Sequence, residues 1–518
     1  MQRKKILFSV NLPAALMTLA VFLILGCAPV IYNFTPEQGK AGTEVEINGK
    51  RFGDTVAKNE VTFEGVSVPA SDILFASKNK LRVKVPPGAK TGFILVRTSR
   101  GSDESDKNFI IPGDASWTFM VYMAADNDLE GAAMDDFLEM SSVKNSDSIN
   151  IITQLDRASG YNQAYGDWTD TRRFAIRNGN TPSIAPVQNL GEANMGDPAV
   201  LQDFVEWGIT NYPAAHYALV IWNHGDGWKA MKQRLDSLSI TAKSVANPDC
   251  GVARAIAIDV DANDRLYMKE VQTALLGAKQ RLSERFNTQV KLDLVGFDAC
   301  LMGMIENAYA LRDITNYMVG SEEVEPWDGW PYDLILPRLV QDPSTTPRKL
   351  AEYIVDDYAA SYAGQGGITQ AAVDISKVTD LTTKLNLFTA AANAEWNLMA
   401  DARDNAQQFH PSWSNSCWGT DLCGFIKNVK NNVASQSIKD AAEAVHQAVQ
   451  NFVINSKCSG NMPDVHGTAI YFPPDQAAYN NDPDHTAYQD ANTFMPVDFV
   501  KYNNWDNWLQ NFYANIPQ

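Results

Sequence analysis

Positive charge is scarce in this chain. Lys and Arg total 43 against 61 Asp and Glu, a net charge of −18 over 518 residues. Such a chain repels phosphate backbones, which argues against nucleic acid as a partner. Cysteine is rarer still: six residues are too few for a disulfide scaffold and leave room for one or two bridges and a reactive thiol. Several motifs are missing: a Walker A loop, a dinucleotide-binding glycine fingerprint, His-Glu-x-x-His, Gly-x-Ser-x-Gly and paired Cys-x-x-Cys. Their absence removes NTPases, dinucleotide oxidoreductases, zincins and ordinary α/β-hydrolases from the leading group. The remaining composition, 45% hydrophobic and 20% charged, is that of a globular protein and excludes wholesale disorder, collagen and coiled coil.

The one long apolar run is at the start. Gln2-Arg3-Lys4-Lys5 precedes apolar residues 12–25, interrupted by Pro13 and Thr18. This run is short for a membrane span and has the length of a signal-peptide core. Ile24-Leu25-Gly26-Cys27 follows, a small residue before a cysteine, and resembles a bacterial lipoprotein cleavage site. The expectation is removal of residues 1–26 and lipidation of Cys27. That would leave an exported protein in the bacterial cell envelope, held to a membrane through its acyl chains alone.

Residues 27–112 read as one domain. Short alternating runs recur, such as Glu44-Val45-Glu46-Ile47 and Leu81-Arg82-Val83-Lys84-Val85, separated by Gly, Pro, Asn and Asp. They predict a small antiparallel β-sandwich. Pro29-Val30-Ile31, Gly42-Thr43-Glu44-Val45, Phe52-Gly53, Val61-Thr62-Phe63 and Val85-Pro86-Pro87-Gly88-Ala89 resemble the IPT/TIG immunoglobulin-like family, which implies a spacer or protein-contact module. Pro112-Gly113-Asp114 reads as a linker. In residues 113–518 the pattern changes. Strand-like runs at 117–123, 150–155, 217–222, 255–258, 292–297, 318–320, 371–375 and 468–472 alternate with helical ones at 129–140, 268–276, 304–311, 350–362, 381–399 and 434–452. That alternation predicts an α/β/α sandwich on a largely parallel sheet.

Two strand ends carry reactive residues. One apolar run leads into Trp222-Asn223-His224-Gly225-Asp226-Gly227, the other into Phe297-Asp298-Ala299-Cys300-Leu301-Met302-Gly303. Ligands of open parallel sheets bind beyond the carboxyl ends of the strands, so His224 and Cys300 fall on one edge. A thiol at a helix N-terminus is favoured as thiolate, and a histidine on the next strand can exchange its proton. His216 begins the strand that His224 ends, roughly 26 Å away. His410, His446, His466 and His485 fit the strand edge less well. Cys250, Cys417, Cys423 and Cys458 form an even set that could pair in an exported protein.

These segments, with Trp117-Thr118-Phe119-Met120-Val121-Tyr122-Met123-Ala124-Ala125-Asp126-Asn127-Asp128 before them and Ser321-Glu322-Glu323…Glu325-Pro326…Gly329-Trp330-Pro331-Tyr332 after, resemble the clostripain family of cysteine peptidases in family order over roughly residues 117–475. The resemblance implies a caspase-like fold and a dyad of Cys300 and His224. It implies an oxyanion hole from the backbone N–H groups of Gly225 and Cys300. It implies peptide or protein substrates with basic P1 residues, met by Asp298 and, in the following turn, Asp328. It also implies cleavage between His224 and Cys300 during maturation, with Lys229, Lys232, Arg234, Lys243 and Arg254 as candidate sites; a solvated surface insertion is the other reading. No cofactor is required. Some members use calcium, and Asp259, Asp261, Asn263 and Asp264 are loosely spaced like oxygen ligands without the rest of an EF-hand loop. No metal ligand is assigned. The alternative function is a catalytically silent surface binding protein on the same fold.

Overall fold

The computed structural model describes residues 28–516 apart from 38, 40, 91, 110, 112–114, 229–255, 287–288, 410–417, 463–464 and 490–496. Cys27, the residues of the expected linker, Cys250, Cys417, His410 and the basic residues from Lys229 to Arg254 lie outside the described residues. The chain divides into two units, the second beginning at Trp117.

The first unit holds β1 (Val30–Thr35), β2 (Glu44–Lys50), β3 (Glu60–Phe63), β4 (Val66–Ser67), β5 (Ile73–Ser77), β6 (Lys80–Lys84), β7 (Gly92–Thr98) and β8 (Gly101–Phe109). They form two four-stranded sheets, β1-β2-β6-β5 and β4-β3-β7-β8, with antiparallel pairing. Alternation does the work. Val45, Ile47, Leu81 and Val83 of one sheet and Val61, Phe63, Ile94 and Val96 of the other fill one core, while the intervening Glu, Lys and Arg face out.

The second unit is built on β9 (Ala115–Ala125), β10 (Ile149–Arg157), β11 (Thr171–Ala175), β12 (Gln188–Gly191), β13 (Ala214–Trp222), β14 (Ile256–Asp259), β15 (Asp264–Leu266), β16 (Leu292–Asp298), β17 (Thr315–Gly320), β18 (Thr369–Asp374), β19 (Gln408–Phe409), β20 (Gly419–Asp421), β21 (Val453–Cys458) and β22 (Ala469–Tyr471). Nine of these make the main sheet, in the order β12-β11-β10-β9-β13-β16-β17-β18-β21. Pairing is parallel for β9 with β10, β13 with β16 and β16 with β17, and antiparallel toward both margins. Successive side chains point to opposite faces, and both faces are covered. Met120, Tyr122, Leu219 and Ile221 enter one core with helices such as Pro198–Asn211 and Val378–Ala391. Phe119, Val121, Ala218 and Val220 enter the other with Glu130–Ser142, Tyr332–Gln341 and Pro347–Ser361. The result is the expected α/β/α sandwich.

Some expected elements differ. The helical run at 381–399 is two helices, Val378–Ala391 and Trp396–Asp404, because the chain turns at Glu395 with φ of 58°. The strand near 255–258 belongs to a separate hairpin, β14-β15, and the one near 468–472 to a small sheet, β19-β20-β22. Margin strands β11, β12 and β21 were not legible. Their sequences, Thr-Arg-Arg-Phe-Ala, Gln-Asn-Leu-Gly and Val-Ile-Asn-Ser-Lys-Cys, are too polar to read as buried runs.

One ion pair inside this unit is fully buried. Arg157 Nε donates to Glu130, Asn162 N donates to the other Glu130 oxygen at 3.0 Å, and the guanidinium lies 4.7 Å from the Trp168 ring. Glu130→Ala would strand a buried cation and is expected to lower stability by about 3–5 kcal/mol. Urea unfolding followed by tryptophan fluorescence checks this, since all 12 tryptophans of the chain lie at or after Trp117.

Candidate functional site

β13 and β16 run parallel in a register that sets Trp222 opposite Asp298. Both chains leave the sheet at the same edge, one into His224 and the other into Cys300. Asn223 fixes the first turn. Its N–H donates to Asp298 O at 3.2 Å, its Nδ2 to Ala124 O, and its Oδ1 accepts from Ile258 N at 3.1 Å. Gly225 then packs on the peptide of Cys300: a Cβ there would lie 2.2 Å from Cys300 O and 3.0 Å from Cys300 N. The glycine is required by this close approach. The two turns expected to carry the chemistry are therefore in contact.

His224 is buried, and its Nε2 lies 2.8 Å from Asp128 Oδ1. Asp128 comes from the turn after β9 and had no role in the sequence reading. The only sequence signal for it was its place in the Asp126-Asn127-Asp128 stretch. Cys300 is half-buried, and its Sγ accepts from Glu325 N at 3.3 Å. Cys300 does not start a helix, contrary to expectation. It sits in a tight turn with Leu301 at φ of 63°, and the next helix, Ile305–Ala310, has only six residues. A charge on sulfur is thus supported by the Glu325 N–H and not by a helix terminus. The turn is stapled to the segment after β17, with Leu301 N donating to Glu323 O at 3.1 Å and Gly303 N to Ser321 O at 2.6 Å.

Asp298 is buried beside this turn. Its Oδ2 accepts from Tyr332 Oη at 2.8 Å and from Trp330 N at 3.2 Å. Gly329, at φ of 55°, packs on the carboxylate, where a Cβ would be 2.8 Å from Oδ1. Burial pushes Asp298 up to about 6 against the pull of those two hydrogen bonds. Glu325 and Asp136 are buried nearby and lie above the usual carboxylate range, first through burial and then through the neighbouring charge of Asp298. Glu325 Oε1 accepts from Gln370 Nε2 at 3.0 Å, and Asp136 Oδ2 from Trp222 Nε1 at 2.6 Å. Asp328 is exposed in the Trp327-Asp328-Gly329 turn and does not join this buried group. The arrangement is a set of buried acids next to a thiol, with burial favouring the neutral form of each.

The other thiols and histidines are elsewhere. Cys423 and Cys458, two of the four that could have paired, are free thiols. Burial pushes the Cys423 thiol up to about 12 and raises Cys458 as well. His216 stands at the far end of β13, with Nδ1 3.1 Å from Asp293, and His466 Nδ1 lies 2.9 Å from Asp421. Of Asp259, Asp261, Asn263 and Asp264, only Asp259 joins a convergent group of carboxylates. Asp264 Oδ2 instead accepts from Asn194 Nδ2 at 2.9 Å, and Asn263 turns the loop at φ of 53°.

Gly225→Ala forces the His224 turn away from Cys300. It is expected to destabilise by about 1–3 kcal/mol through overpacking and to change the rate at which iodoacetamide alkylates Cys300. Stopped alkylation assays with mass analysis of the labelled peptide, alongside thermal unfolding, check both effects.

Comparison with known proteins agrees with this layout. The model of the clostripain family matches residues 121–512, and that of the IPT/TIG domain matches residues 29–110. Clostripain from Hathewaya histolytica is 33% identical over 247 residues, covering 43% of this chain and 42% of the relative. The match thus spans less than half the length of that curated relative. A secreted C11 cysteine protease from Bacteroides thetaiotaomicron, solved in complex with an irreversible peptide inhibitor, superposes with a TM-score of 0.53 at 20% identity over 76% of this chain and 100% of the other. An inactive zymogen C11 protease from Parabacteroides distasonis gives a TM-score of 0.50 at 18% identity over 78% of this chain and 100% of its own. These likenesses establish a caspase-like fold. With the family match running from β9 through both turns that meet at Gly225 and on to residue 512, the chain belongs to the clostripain family.

Proposed function

We propose that this chain is an exported, lipid-anchored cysteine endopeptidase that cuts after Arg or Lys. The observation that carries the reading is the packing of the His224 turn on the Cys300 peptide through Gly225. Cys300 Sγ attacks the scissile carbonyl carbon, the C–N bond breaks, and a thioester forms. His224 takes the thiol proton, gives it to the leaving amine, and then takes a proton from the water that hydrolyses the thioester and returns it to the departing sulfur. With Nε2 held by Asp128, proton exchange falls to Nδ1, and Asp128 keeps the ring in that tautomer. The backbone N–H groups of Gly225 and Cys300 serve as the oxyanion hole.

Asp298 is the P1 counter-charge, with Asp328 at the outer rim. The buried carboxylates beside Cys300 support a cationic P1 residue, because a guanidinium or ammonium relieves their mutual repulsion. Processing between His224 and Cys300 is supported by Lys229, Lys232, Arg234, Lys243 and Arg254, which would suit the enzyme's own specificity. One structural neighbour is described as an inactive zymogen and another as secreted. Export and anchoring rest on residues 1–27. The N-terminal sandwich acts as spacer or contact module.

The test uses residues 28–518 with Arg-, Lys-, Asp- and Leu-P1 fluorogenic peptides beside Cys300→Ala, with each sample run on a denaturing gel. Cleavage after Arg or Lys that vanishes in Cys300→Ala is expected, as are fragments in the wild type alone. No turnover of any peptide would instead favour a catalytically silent binding protein. Asp298→Asn is expected to cost about 2–4 kcal/mol of Arg-P1 transition-state binding, or roughly 30- to 1,000-fold in kcat/KM, the scale of a buried charge pair losing one partner.

The pH dependence has a definite sign. Only the ionised carboxylate pairs with a guanidinium, and burial raises Asp298 to about 6. Arg-P1 kcat/KM should therefore rise with pH through that region. Dividing it by the rate of Cys300 alkylation with uncharged iodoacetamide removes the ionisation of the thiol itself. The ratio should still rise toward neutrality in wild type and stay flat in Asp298→Asn; a flat wild-type ratio would exclude Asp298 as the P1 counter-charge.

A further inference from the structure

We propose that the cation of the substrate also activates the nucleophile: in the empty enzyme the Asp298 carboxylate opposes negative charge on the Cys300 sulfur, and a guanidinium or ammonium seated on Asp298 lifts that opposition. The inference rests on the P1 reading of Asp298 and adds to it a coupling between the P1 site and the thiol. Sequence sets the proximity. Asp298 ends β16 and Cys300 follows in the turn, with one residue between them. Their Cα atoms are therefore at most about 7.6 Å apart. Asp298 is 4% exposed, so little water screens its charge. The Tyr358 hydroxyl, buried on the helix Pro347–Ser361, registers both residues. Burial first, and then neighbouring charges that include Glu325, Asp298 and Cys300, hold its proton on.

The sulfur is placed for either protonation state. Glu325 N lies 3.3 Å from Sγ and donates to a thiolate, while Glu325 O lies 3.9 Å from Sγ and accepts from a thiol. Gaining or losing the proton needs no movement of that peptide, so nearby charge is left to set the balance. Around Asp298 and Cys300 stand Asp136 and Glu139 from the helix Glu130–Ser142, Glu325 from the segment after β17, Tyr332 and Tyr358 from the next two helices, and His224 from the turn after β13. Among the described residues, no Lys or Arg contributes to the ionisation of Asp298, Glu325 or Asp136. Burial holds Glu325 and Asp136 neutral more firmly than Asp298, which is raised to about 6 and so is ionised at neutral pH.

Asp298 thus carries the charge that the sulfur meets in the empty enzyme, and a P1 cation cancels it. The thiol proton then passes more readily to His224: the S–H bond breaks, an N–H bond forms, and the net charge of the two side chains is unchanged. A peptide with an uncharged P1 residue leaves the carboxylate unmatched and the thiol protonated. The P1 cation is therefore expected to raise kcat as well as to lower KM.

The experiment follows alkylation of Cys300 by iodoacetamide across pH in residues 28–518, with the labelled peptide identified by mass analysis. The thiolate sulfur displaces iodide, a C–S bond replacing the C–I bond, so the profile reads the thiolate fraction. The probes are butylguanidinium, which has the P1 cation but no carbonyl to attack, and butylurea, which has the same shape without the charge. Calorimetry measures the occupancy of each. Shielding of the sulfur by a bound probe scales the whole profile and leaves its midpoint in place. Butylguanidinium is expected to move the midpoint to lower pH and to raise the rate at pH 7, relative to the alkaline plateau, by about three- to tenfold. Butylurea should do neither. Empty Asp298→Asn should already show the lower midpoint and gain nothing from butylguanidinium, although the same variant loses Arg-P1 turnover. The wild-type comparison of the two probes needs no substitution, so misfolding of the variant leaves it standing; if butylguanidinium does not bind, the Asp298→Asn midpoint decides. A midpoint that stays or rises with butylguanidinium bound would overturn the coupling, as would a wild-type midpoint in empty Asp298→Asn. Peptide turnover without preference for Arg or Lys would instead overturn the P1 reading beneath it.

Discussion

The parallel pairing of β13 with β16 is the constraint on which the candidate site depends. Its register, Trp222 beside Asp298, decides that His224 and Cys300 leave the sheet together. A slip of one residue would turn every side chain of one strand to the opposite face. Such a slip would move Leu219 and Ile221 out of one core and Ala218, Val220 and Trp222 out of the other. The two hydrophobic cores thus lock the register, and the register brings together two short turns that then need little further support. Asn223 and Gly225 supply it, the first by three hydrogen bonds and the second by having no side chain. Positions set by packed strands are more exact than positions set by long loops, which is what a reaction between a thiol and an imidazole demands.

Charge forms the second layer. The chain carries an excess of acid, and part of that excess is buried at this same edge. Asp136, Asp298 and Glu325 cluster beside the Cys300 turn, and Asp126, Asp156 and Asp259 beside the His224 turn. Buried carboxylates of one sign resist ionisation together, and each group is eased by a positive partner. In the reading proposed above the first group meets its cation with each substrate. The Asp298 carboxylate is tied to Tyr332 and Trp330, while Glu325, Asp126 and Asp156 each leave one oxygen without a hydrogen-bond partner.

The sandwich of the first unit and the central strands of the second were legible because apolar periodicity was strong there: period two for β2, β6 and β7, and continuous burial for β9, β13 and β16. The strand ends carrying His224 and Cys300 followed from those. The margins were not legible, since β11, β12 and β21 are polar and are held by pairing, not by pattern. Asp128 and Glu325 were missed for a different reason. Their relevance comes from long-range geometry, Asp128 meeting His224 across 96 residues and the Glu325 N–H meeting Cys300 across 25. Of the loose acidic run after β14, only Asp259 joins the convergent carboxylates; Asp156 and Glu192 of that group arrive from distant strands that local spacing cannot see.

Three thiols in one domain stand in different surroundings. Cys423 lies in the apolar core beside the Asp421 carboxylate, and both burial and that charge hold its proton on. Cys458 is raised by the same two causes. Cys300 is half-buried at the sheet edge, and a backbone N–H points at its sulfur. Cys300 stands in a tight turn and not at the start of a helix. The donor comes from Glu325, whose own carboxylate is buried with Asp298, so the segment after β17 supplies a hydrogen bond to the thiol and an acid to the proposed P1 site at once. Two staples, Leu301 to Glu323 and Gly303 to Ser321, keep that segment in step with the Cys300 turn. The proposed nucleophile and the proposed P1 site therefore share one segment, and a change that shifts the Glu325 peptide is expected to alter both.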